Sequence, residues 1–300
     1  MSRSVLDRLK DIVYSAELAV RYAGRLDSDA LATTDEERDA ALFRFSGCRR
    51  HDCNGPRTAQ GRGSETDLAA GADVSMTLLI KICGLTTPET LEFAIEAGAD
   101  MVGFVFFPPS PRHLDFPAAR MLAGHVRGRA QKVALSVDAD DEWLAAAIEA
   151  LHPDALQLHG RETPQRVVEV RNRFRLPVVK ALPIAARDDL AAIRHYESVA
   201  DRLLFDARAP RDATRPGGLG RSFDWRLLED IDSGLPFMLS GGLDAANVAE
   251  ALRSTRAPGV DVSSGVERTP GQKDPDKIRA FIRAARAAVA SGSKQLARSQ

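Results

Sequence analysis

The stretch that decides the fold runs from Thr77 to Phe106 and reads T-L-L-I-K-I-C-G-L-T-T-P-E-T-L-E-F-A-I-E-A-G-A-D-M-V-G-F-V-F. It holds two short apolar runs, Thr77–Cys83 and Met101–Phe106, separated by a helical pattern at Pro88–Ala97. Continuous apolar runs are typical of strands that are covered on both faces. The stretch therefore predicts two parallel strands that are joined by a helical crossover.

The same unit recurs along the rest of the chain. Three further helical stretches lie at Pro117–Ala123, Asp141–Leu151 and Pro164–Arg173. Eight equal units favour a closed (β/α)8 barrel over an open doubly wound sheet, and no G-x-G-x-x-G follows the first strand. We therefore predict an α/β fold, a TIM barrel, over residues 76–290. Its six other strands are Lys132–Val137, Ala155–Leu158, Val178–Leu182, Arg202–Phe205, Phe237–Ser240 and Gly259–Val262.

The amino-acid composition excludes several classes of function. The 300 residues carry 41 Lys and Arg against 42 Asp and Glu, so the basic excess that nucleic-acid binding needs is missing. No run reaches the length of a membrane span, and the acidic N-terminal residues do not fit a signal peptide. Three cysteines make a disulfide framework improbable. We expect a soluble cytoplasmic protein with a small-molecule partner and no nucleic-acid or membrane partner.

The segments outside the barrel are expected to take no part in the chemistry. Apolar residues from Val5 to Val20 follow a helical spacing, which predicts one amphipathic helix. The polar composition of Ser46–Ser75 predicts a disordered linker, so residues 1–75 form an N-terminal extension. Met76 directly precedes the first strand and is a candidate functional start. Residues 291–300 are predicted to be a disordered tail.

Polar residues at the carboxyl ends of the strands are the candidates for catalysis, because barrels of this kind carry their active sites there. Cys83 ends the first strand, and Lys81 lies on the same face one layer down. Asp206 ends the sixth strand on the far side of the barrel. A thiol and a carboxyl across one mouth can act as general base and general acid. A buried cysteine could equally be a small core residue, and Asp206 a turn residue.

Other strand ends add candidate binding groups. Arg112, in the loop after the second strand, has a planar fork that suits a carboxylate, or is an ordinary solvated arginine. His159 either lines a substrate pocket or is a structural histidine. The glycine and serine turns after strands seven and eight fit a phosphate site, and Pro216–Gly220 is either a mobile cover or a plain loop. Cys48, His51 and Cys53 lack a second ligand pair, so no metal site is expected.

Taken together, seven motifs resemble the phosphoribosylanthranilate isomerase family in their order and spacing. The resemblance covers Lys81 to Ala285. It implies an Amadori rearrangement of a phosphosugar substrate in tryptophan biosynthesis, without a cofactor, by a monomer or homodimer. The motifs are K-I-C-G-L, G-F-V-F-F-P-P-S-P-R, L-Q-L-H-G, L-F-D, P-G-G-L-G, L-S-G-G-L and D-V-S-S-G-V-E.

The resemblance also implies roles for individual residues. Cys83 would be the general base and Asp206 the general acid, and Arg112 would contact the anthranilate carboxylate. We expect a dry, apolar rim to keep Asp206 protonated and Lys81 to push Cys83 towards the thiolate. Lys81, His159 and Asp261 are further candidates for substrate contact. The residues implied for the phosphate are Gly241, Gly242, Ser263, Ser264 and Gly265.

Two alternatives remain at this stage. One is another phosphosugar barrel with the same phosphate loops. Indole-glycerol-phosphate synthase normally uses lysine and glutamate for catalysis, and the histidine-pathway isomerase uses a pair of aspartates at strands one and five. The second alternative is a barrel that binds a phosphate ligand but has lost its catalytic activity. Cys83 together with Asp206 argues against both.

Overall fold

A computed structural model of the chain describes residues 78–210, 212–229, 231 and 233–296. Eight parallel strands pair in sequence order, and the first pairs with the eighth, so the sheet closes into a barrel. This confirms the predicted TIM barrel. The strands are β1 (Leu79–Cys83), β2 (Met101–Phe106), β3 (Gln131–Ser136), β4 (Ala155–Leu158), β5 (Val178–Ile184), β6 (Arg202–Ala207), β7 (Phe237–Leu239) and β8 (Gly259–Val262).

Four of the helices begin at a capping side chain. Thr87, Asp115, Asp140 and Thr163 each accept a hydrogen bond from a backbone N–H three residues further on, which fixes the start of the following helix. The helices are α1 (Pro88–Glu96), α2 (Phe116–Val126), α3 (Asp141–Leu151), α4 (Pro164–Phe174), α5 (Ile193–Tyr196), α6 (Val248–Thr255) and α7 (Pro275–Leu296).

The eight units are not equal, and the expectation of equal units is wrong in the second half of the barrel. In the described part of the crossover between β6 and β7, the helical structure is a 3-10 turn at Trp225–Leu228. Pro210, Pro216 and the glycines that follow prevent a helix in that segment, because proline lacks the N–H and glycine is costly to order. The result is a long loop at the mouth of the barrel. After β8 the chain forms a short hairpin, β9 (Glu267–Thr269) with β10 (Gln272–Lys273), before α7.

Side chains alternate between two environments along each strand. In β1, Ile80 and Ile82 are fully buried in the large apolar cluster that the helices share with the strands. Cys83 belongs instead to a small cluster with Val105 and Leu135 inside the barrel. The period of two therefore turns Lys81 and Cys83 to the interior, as predicted.

The C-terminal end of the predicted domain differs from the end of the last helix. The final helix, α7, continues to Leu296, so the predicted domain end at Ala290 lies inside it. Extending a formed helix costs little per residue, which accounts for the continuation. The predicted N-terminal helix and linker, and residues 297–300 of the tail, lie outside the described residues. None of the described helices is long and apolar enough to cross a membrane.

Candidate active site

A single pocket at the carboxyl ends of the strands brings most of the predicted residues together. Part of its lining is apolar, with Val105, Phe107, Leu135 and Val137 clustered around Cys83. Lys81 lies beneath the pocket, and Gly265 packs against the carbonyl of Leu243 beside it. The predicted residues that line the pocket are Cys83, Arg112, His159, Asp206, Gly241, Gly242, Asp261, Ser263 and Ser264.

Lys81 and Cys83 occupy a tight space at the seam where the barrel closes. The Lys81 ammonium donates a hydrogen bond of 3.0 Å to Asp261 on β8. A Cβ at Gly103 on β2 would lie 2.8 Å from the Cys83 Sγ and 3.1 Å from the Lys81 Cε. Glycine is therefore required at that position. Sequence reasoning missed Gly103 as a site residue, although a lone glycine inside an apolar strand is a signal of close approach.

The electrostatics of Cys83 differ from the expectation. Burial raises the pKa of the Cys83 thiol, and the neighbouring Lys81 opposes this without reversing it. The pKa of Lys81 is itself raised, because Asp261 and Cys83 together outweigh the desolvation that lowers it. Lys81 thus acts in the predicted direction, but the predicted net shift towards the thiolate is wrong. The reason is that enclosure disfavours the charged sulfur more than the lysine favours it.

Asp206 is buried at the end of β6 and held on both oxygens. Its Oδ1 accepts a hydrogen bond of 2.9 Å from the backbone N–H of Ala207. Its Oδ2 lies 3.1 Å from the Nε2 of His159, and the Nδ1 of His159 lies 2.9 Å from the Nε2 of Gln157. The rim around Asp206 is therefore polar on its barrel side, not apolar as expected. Gln157, which sequence reasoning also missed, sits in the L-Q-L-H-G motif.

The orientation of the Gln157 amide determines which ring nitrogen of His159 carries a proton. As the amide is oriented, its N–H donates to the Nδ1 of His159, so the Nε2 holds a proton and donates to Asp206. The Gln157 Oε1 is buried without a partner. A reversed amide would pair that oxygen with a protonated Nδ1, and the Nε2 could then accept a proton from Asp206. The first arrangement therefore pairs His159 with a carboxylate, whereas the second holds one more proton and makes Asp206 the donor.

Arg112 is buried, and its fork is already bound by a carboxylate of the chain. Its Nε and Nη2 donate to the two oxygens of Glu267, at 2.8 and 2.7 Å. The Nη2 also donates to the carbonyl of Gly218 at 3.2 Å. Arg112 thus lines the pocket as predicted and is not a solvated arginine. Its partner Glu267, the last letter of the D-V-S-S-G-V-E motif, was not singled out in the sequence.

Lys273 is a third buried cation beside the pocket, and the sequence analysis did not single it out. Its ammonium donates to Glu267 at 2.7 Å and to the carbonyl and hydroxyl of Ser263 at 3.0 and 3.2 Å. Burial lowers the pKa of Lys273 to about 8. The hydroxyl of Ser263 in turn donates to the carbonyl of Cys83 at 3.1 Å.

The turns after β7 and β8 bring backbone close to the pocket. Gly241 and Gly242 have φ of +88° and +63°. A Cβ on Gly241 would lie 2.5 Å from the backbone nitrogen of Ala207, and one on Gly265 would lie 1.9 Å from the carbonyl oxygen of Leu243. Only glycine fits these positions, which leaves backbone groups and the Ser264 side chain facing the pocket.

The loop after β6 lies close to Asp206 and Arg112. A Cβ on Gly217 would lie 2.5 Å from the Asp206 Oδ2 and 2.8 Å from the His159 Nε2. A Cβ on Gly218 would lie 2.5 Å from the Nη1 of Arg112. The segment Pro216–Gly220 therefore covers the pocket. Among the described residues, no group of three or more His, Cys, Asp or Glu is placed to hold a metal ion.

Comparison with known proteins gives a consistent result. Residues 80–284 match the family N-(5'-phosphoribosyl)anthranilate (PRA) isomerase. The N-(5'-phosphoribosyl)anthranilate isomerase of Rhodopseudomonas palustris (strain ATCC BAA-98 / CGA009) is 63% identical over 213 residues, which is 71% of this chain and 100% of that protein.

Solved structures agree with this match. The crystal structure of phosphoribosyl anthranilate isomerase from Thermotoga maritima is 34% identical with a TM-score of 0.64, over 70% of this chain and 100% of that one. A phosphoribosyl anthranilate isomerase in complex with reduced 1-(o-carboxyphenylamino)-1-deoxyribulose 5-phosphate is 32% identical with a TM-score of 0.61, over 70% and 100%. The chain belongs to the N-(5'-phosphoribosyl)anthranilate isomerase family, the isomerases of tryptophan biosynthesis.

Proposed function

We propose that Cys83 is the general base and Asp206 the general acid of the family's reaction. The reaction converts N-(5-phosphoribosyl)anthranilate to 1-(2-carboxyphenylamino)-1-deoxyribulose 5-phosphate. The observation that carries the proposal is that the thiol and the carboxyl line one pocket from strands that are three apart in the closed ring. A substrate between them would have a proton donor on one side and an acceptor on the other.

Asp206 performs the first proton transfer. The protonated carboxyl donates to the ring oxygen of the sugar as the bond between that oxygen and C1 breaks. The lone pair of the anilino nitrogen forms the double bond to C1, which gives a Schiff base. His159, 3.1 Å from Asp206, keeps the carboxyl oriented and shares its proton. The loop segment Pro216–Gly220 excludes water during this step.

Cys83 performs the second transfer. Its thiolate takes the proton from C2, the electrons of that bond form the double bond between C1 and C2, and the π electrons of the C1–N bond return to the nitrogen, which gives an enolamine. The enolamine then tautomerises to the ketone of the product. The Lys81 ammonium stabilises the thiolate against the burial that raises the pKa of Cys83. These steps need only proton transfers, so no cofactor is required.

The two ends of the substrate are bound by separate groups. Arg112 contacts the anthranilate carboxylate, and the apolar wall of Val105, Phe107, Leu135 and Val137 receives the aromatic ring. The phosphate binds the turns after β7 and β8, at Gly241, Gly242, Ser263, Ser264 and Gly265. Glycine in these turns lets backbone N–H groups approach an anion closely.

We further propose where the enzyme works and in what form. A base that must remain a free thiol suits the reducing cytoplasm, and Cys83 is a free cysteine. The partner is the phosphosugar substrate, with no nucleic acid or membrane involved, and the enzyme is a monomer or homodimer.

Residues 76–290 are proposed to be the whole catalytic unit. The family match, residues 80–284, falls inside these bounds. A chain that begins at Met76 should therefore retain the turnover number and KM of the full chain. Activity in the full chain alone would show that the extension contributes to catalysis.

The direct test is the decrease of fluorescence as the purified protein consumes phosphoribosylanthranilate. Cys83→Ser and Asp206→Asn should each reduce kcat by about 10²-fold or more, with the fold retained by circular dichroism. Wild-type turnover that survives either substitution would remove that residue from the proton transfers.

A further inference from the structure

One continuous chain of buried and half-buried hydrogen bonds runs beside the pocket. It joins Arg112 to Glu267 by two bonds, Glu267 to Lys273 at 2.7 Å, Lys273 to Ser263 at 3.0 and 3.2 Å, and Ser263 to the Cys83 carbonyl at 3.1 Å. Its members come from β1, the loop after β2, the turn after β8 and the β9–β10 hairpin. The chain thus connects the proposed carboxylate ligand, the proposed phosphate turn and the proposed base.

The three charges in this chain are costly to bury. Arg112, Glu267 and Lys273 are each 6% exposed or less and together carry a net charge of +1. Replacing such a group with apolar side chains is often neutral or stabilising, so stability alone is a weak reason for its presence. What the arrangement does provide is a fixed geometry, because a carboxylate bound at two points determines the plane of a guanidinium.

The hairpin that carries Glu267 and Lys273 also clamps the loop that carries Arg112. Gly271, at the tip of the hairpin, has a φ of +87°, and a Cβ there would lie 2.5 Å from the carbonyl oxygen of Pro111. Pro111 directly precedes Arg112 in the chain. Both the side chain and the backbone of the arginine's loop are therefore held by the same hairpin.

We propose that Glu267 and Lys273 are positioning residues: Glu267 holds Arg112 towards the carboxylate of the substrate, and Lys273 holds Ser263 at the phosphate turn. This rests on the proposed function for its assignment of the two substrate ends. The two ends are thereby bound by one ion-paired unit whose spacing is set before the substrate arrives.

The decisive experiment measures binding and not turnover, so that it stands apart from the proposed acid and base. Titration calorimetry would follow two probes in the full-length chain. One is the reduced product analogue, 1-(o-carboxyphenylamino)-1-deoxyribulose 5-phosphate in reduced form, and the other is ribulose 5-phosphate, which lacks the aromatic carboxylate. Glu267→Gln should weaken the analogue about tenfold and leave ribulose 5-phosphate within about twofold. Lys273→Met should weaken both.

A double-mutant cycle separates positioning from a general structural effect. In an Arg112→Met background, Glu267→Gln should no longer change the affinity for the analogue, because its effect passes through the arginine. If Arg112→Met weakens the analogue but Glu267→Gln does not, the inference is wrong while the proposed carboxylate ligand stands. If Arg112→Met itself has no effect, the proposed ligand is wrong.

Glu162→Gln is the matched control. Glu162 is another buried carboxylate, its Oε2 lies 2.8 Å from the Lys180 ammonium, and it makes no hydrogen bond to Arg112 among the described contacts. The affinity of this variant for the analogue shows how much the loss of a buried ion pair by itself changes binding. An equal loss for the analogue in Glu162→Gln and Glu267→Gln would overturn the inference. If Glu267→Gln fails to fold, the double variant Glu267→Gln/Lys273→Met replaces it, because it removes one charge of each sign and keeps the net charge. This double variant should bind both probes more weakly than the wild type.

Discussion

Replacing Lys81 by methionine tests the electrostatic basis of the proposed base. The substitution keeps the length and apolar stem of the side chain and removes the ammonium that lowers the pKa of Cys83. Two opposite unit charges about 4 Å apart attract by about 4 kcal/mol at an effective dielectric of about 20. This corresponds to an upper bound of about three pH units on the change in the thiol pKa. Asp261, which raises the pKa of Cys83, stays in place, so we expect that pKa to rise within this bound.

The pH dependence gives the sign of the effect. Only the thiolate accepts the proton from C2, so kcat/KM should rise with pH until the thiol pKa is passed. In Lys81→Met this rise should move to higher pH, and turnover at neutral pH should fall about tenfold for every pH unit by which the thiol pKa increases. The alkylation rate of Cys83, followed by iodoacetamide labelling and peptide mass spectrometry, should move by the same amount. Mapping the peptides separates Cys83 from Cys48 and Cys53.

Lys180→Met is the control for this experiment. Lys180 is as deeply buried as Lys81 and is also ion-paired, but its partner is Glu162 and it does not line the pocket. It should lower stability without moving either pH profile. Identical alkylation profiles in wild type and Lys81→Met would refute the assignment of Lys81 to the base.

Three further predictions follow from the described contacts. His159→Gln should reduce kcat less than Asp206→Asn, since histidine only orients and shares the acid's proton; equal losses in a steady-state assay would give His159 a direct transfer. Gly103→Ala should displace the Cys83 thiol and cost about 1 to 3 kcal/mol in urea unfolding, and wild-type kcat in that variant would contradict the close packing. Glu267 has a folded pKa below its ordinary value of 4.5, so its stabilisation is present above that pH and is lost as the pH falls through the folded pKa. Unfolding free energies measured from pH 6 to pH 3 should fall less steeply in Glu267→Gln, and parallel curves would argue against this linkage.

Local sequence patterns were sufficient for the scaffold and for the two proposed proton-transfer residues. The apolar runs predicted all eight strands, and the period of two placed Lys81 and Cys83 inside the barrel. Cys83 and Asp206 could be singled out because each directly ends an apolar run, and the carboxyl ends of parallel strands share one face of the barrel. These signals need only a few consecutive residues.

The electrostatic environment of the site could not be predicted from local sequence patterns. Arg112 and Glu267 are 155 positions apart in the chain, and Lys81 and Asp261 are 180 apart. Those pairs exist only because β8 closes on β1 and the hairpin after β8 folds back onto the loop after β2. The burial that raises the pKa of Cys83 likewise depends on the whole barrel, since desolvation is set by every atom around the sulfur.

The sequence by itself thus determined the (β/α)8 barrel, its strands and the side chains at the strand ends, because each of these depends on short-range periodicity. The tertiary structure alone decided the partners of those side chains: Gly103 beside the thiol, Gln157 behind His159, and Glu267 with Lys273 behind Arg112. The physical reason is that hydrogen bonds and charge pairing act over a few ångströms in space, whatever the separation along the chain.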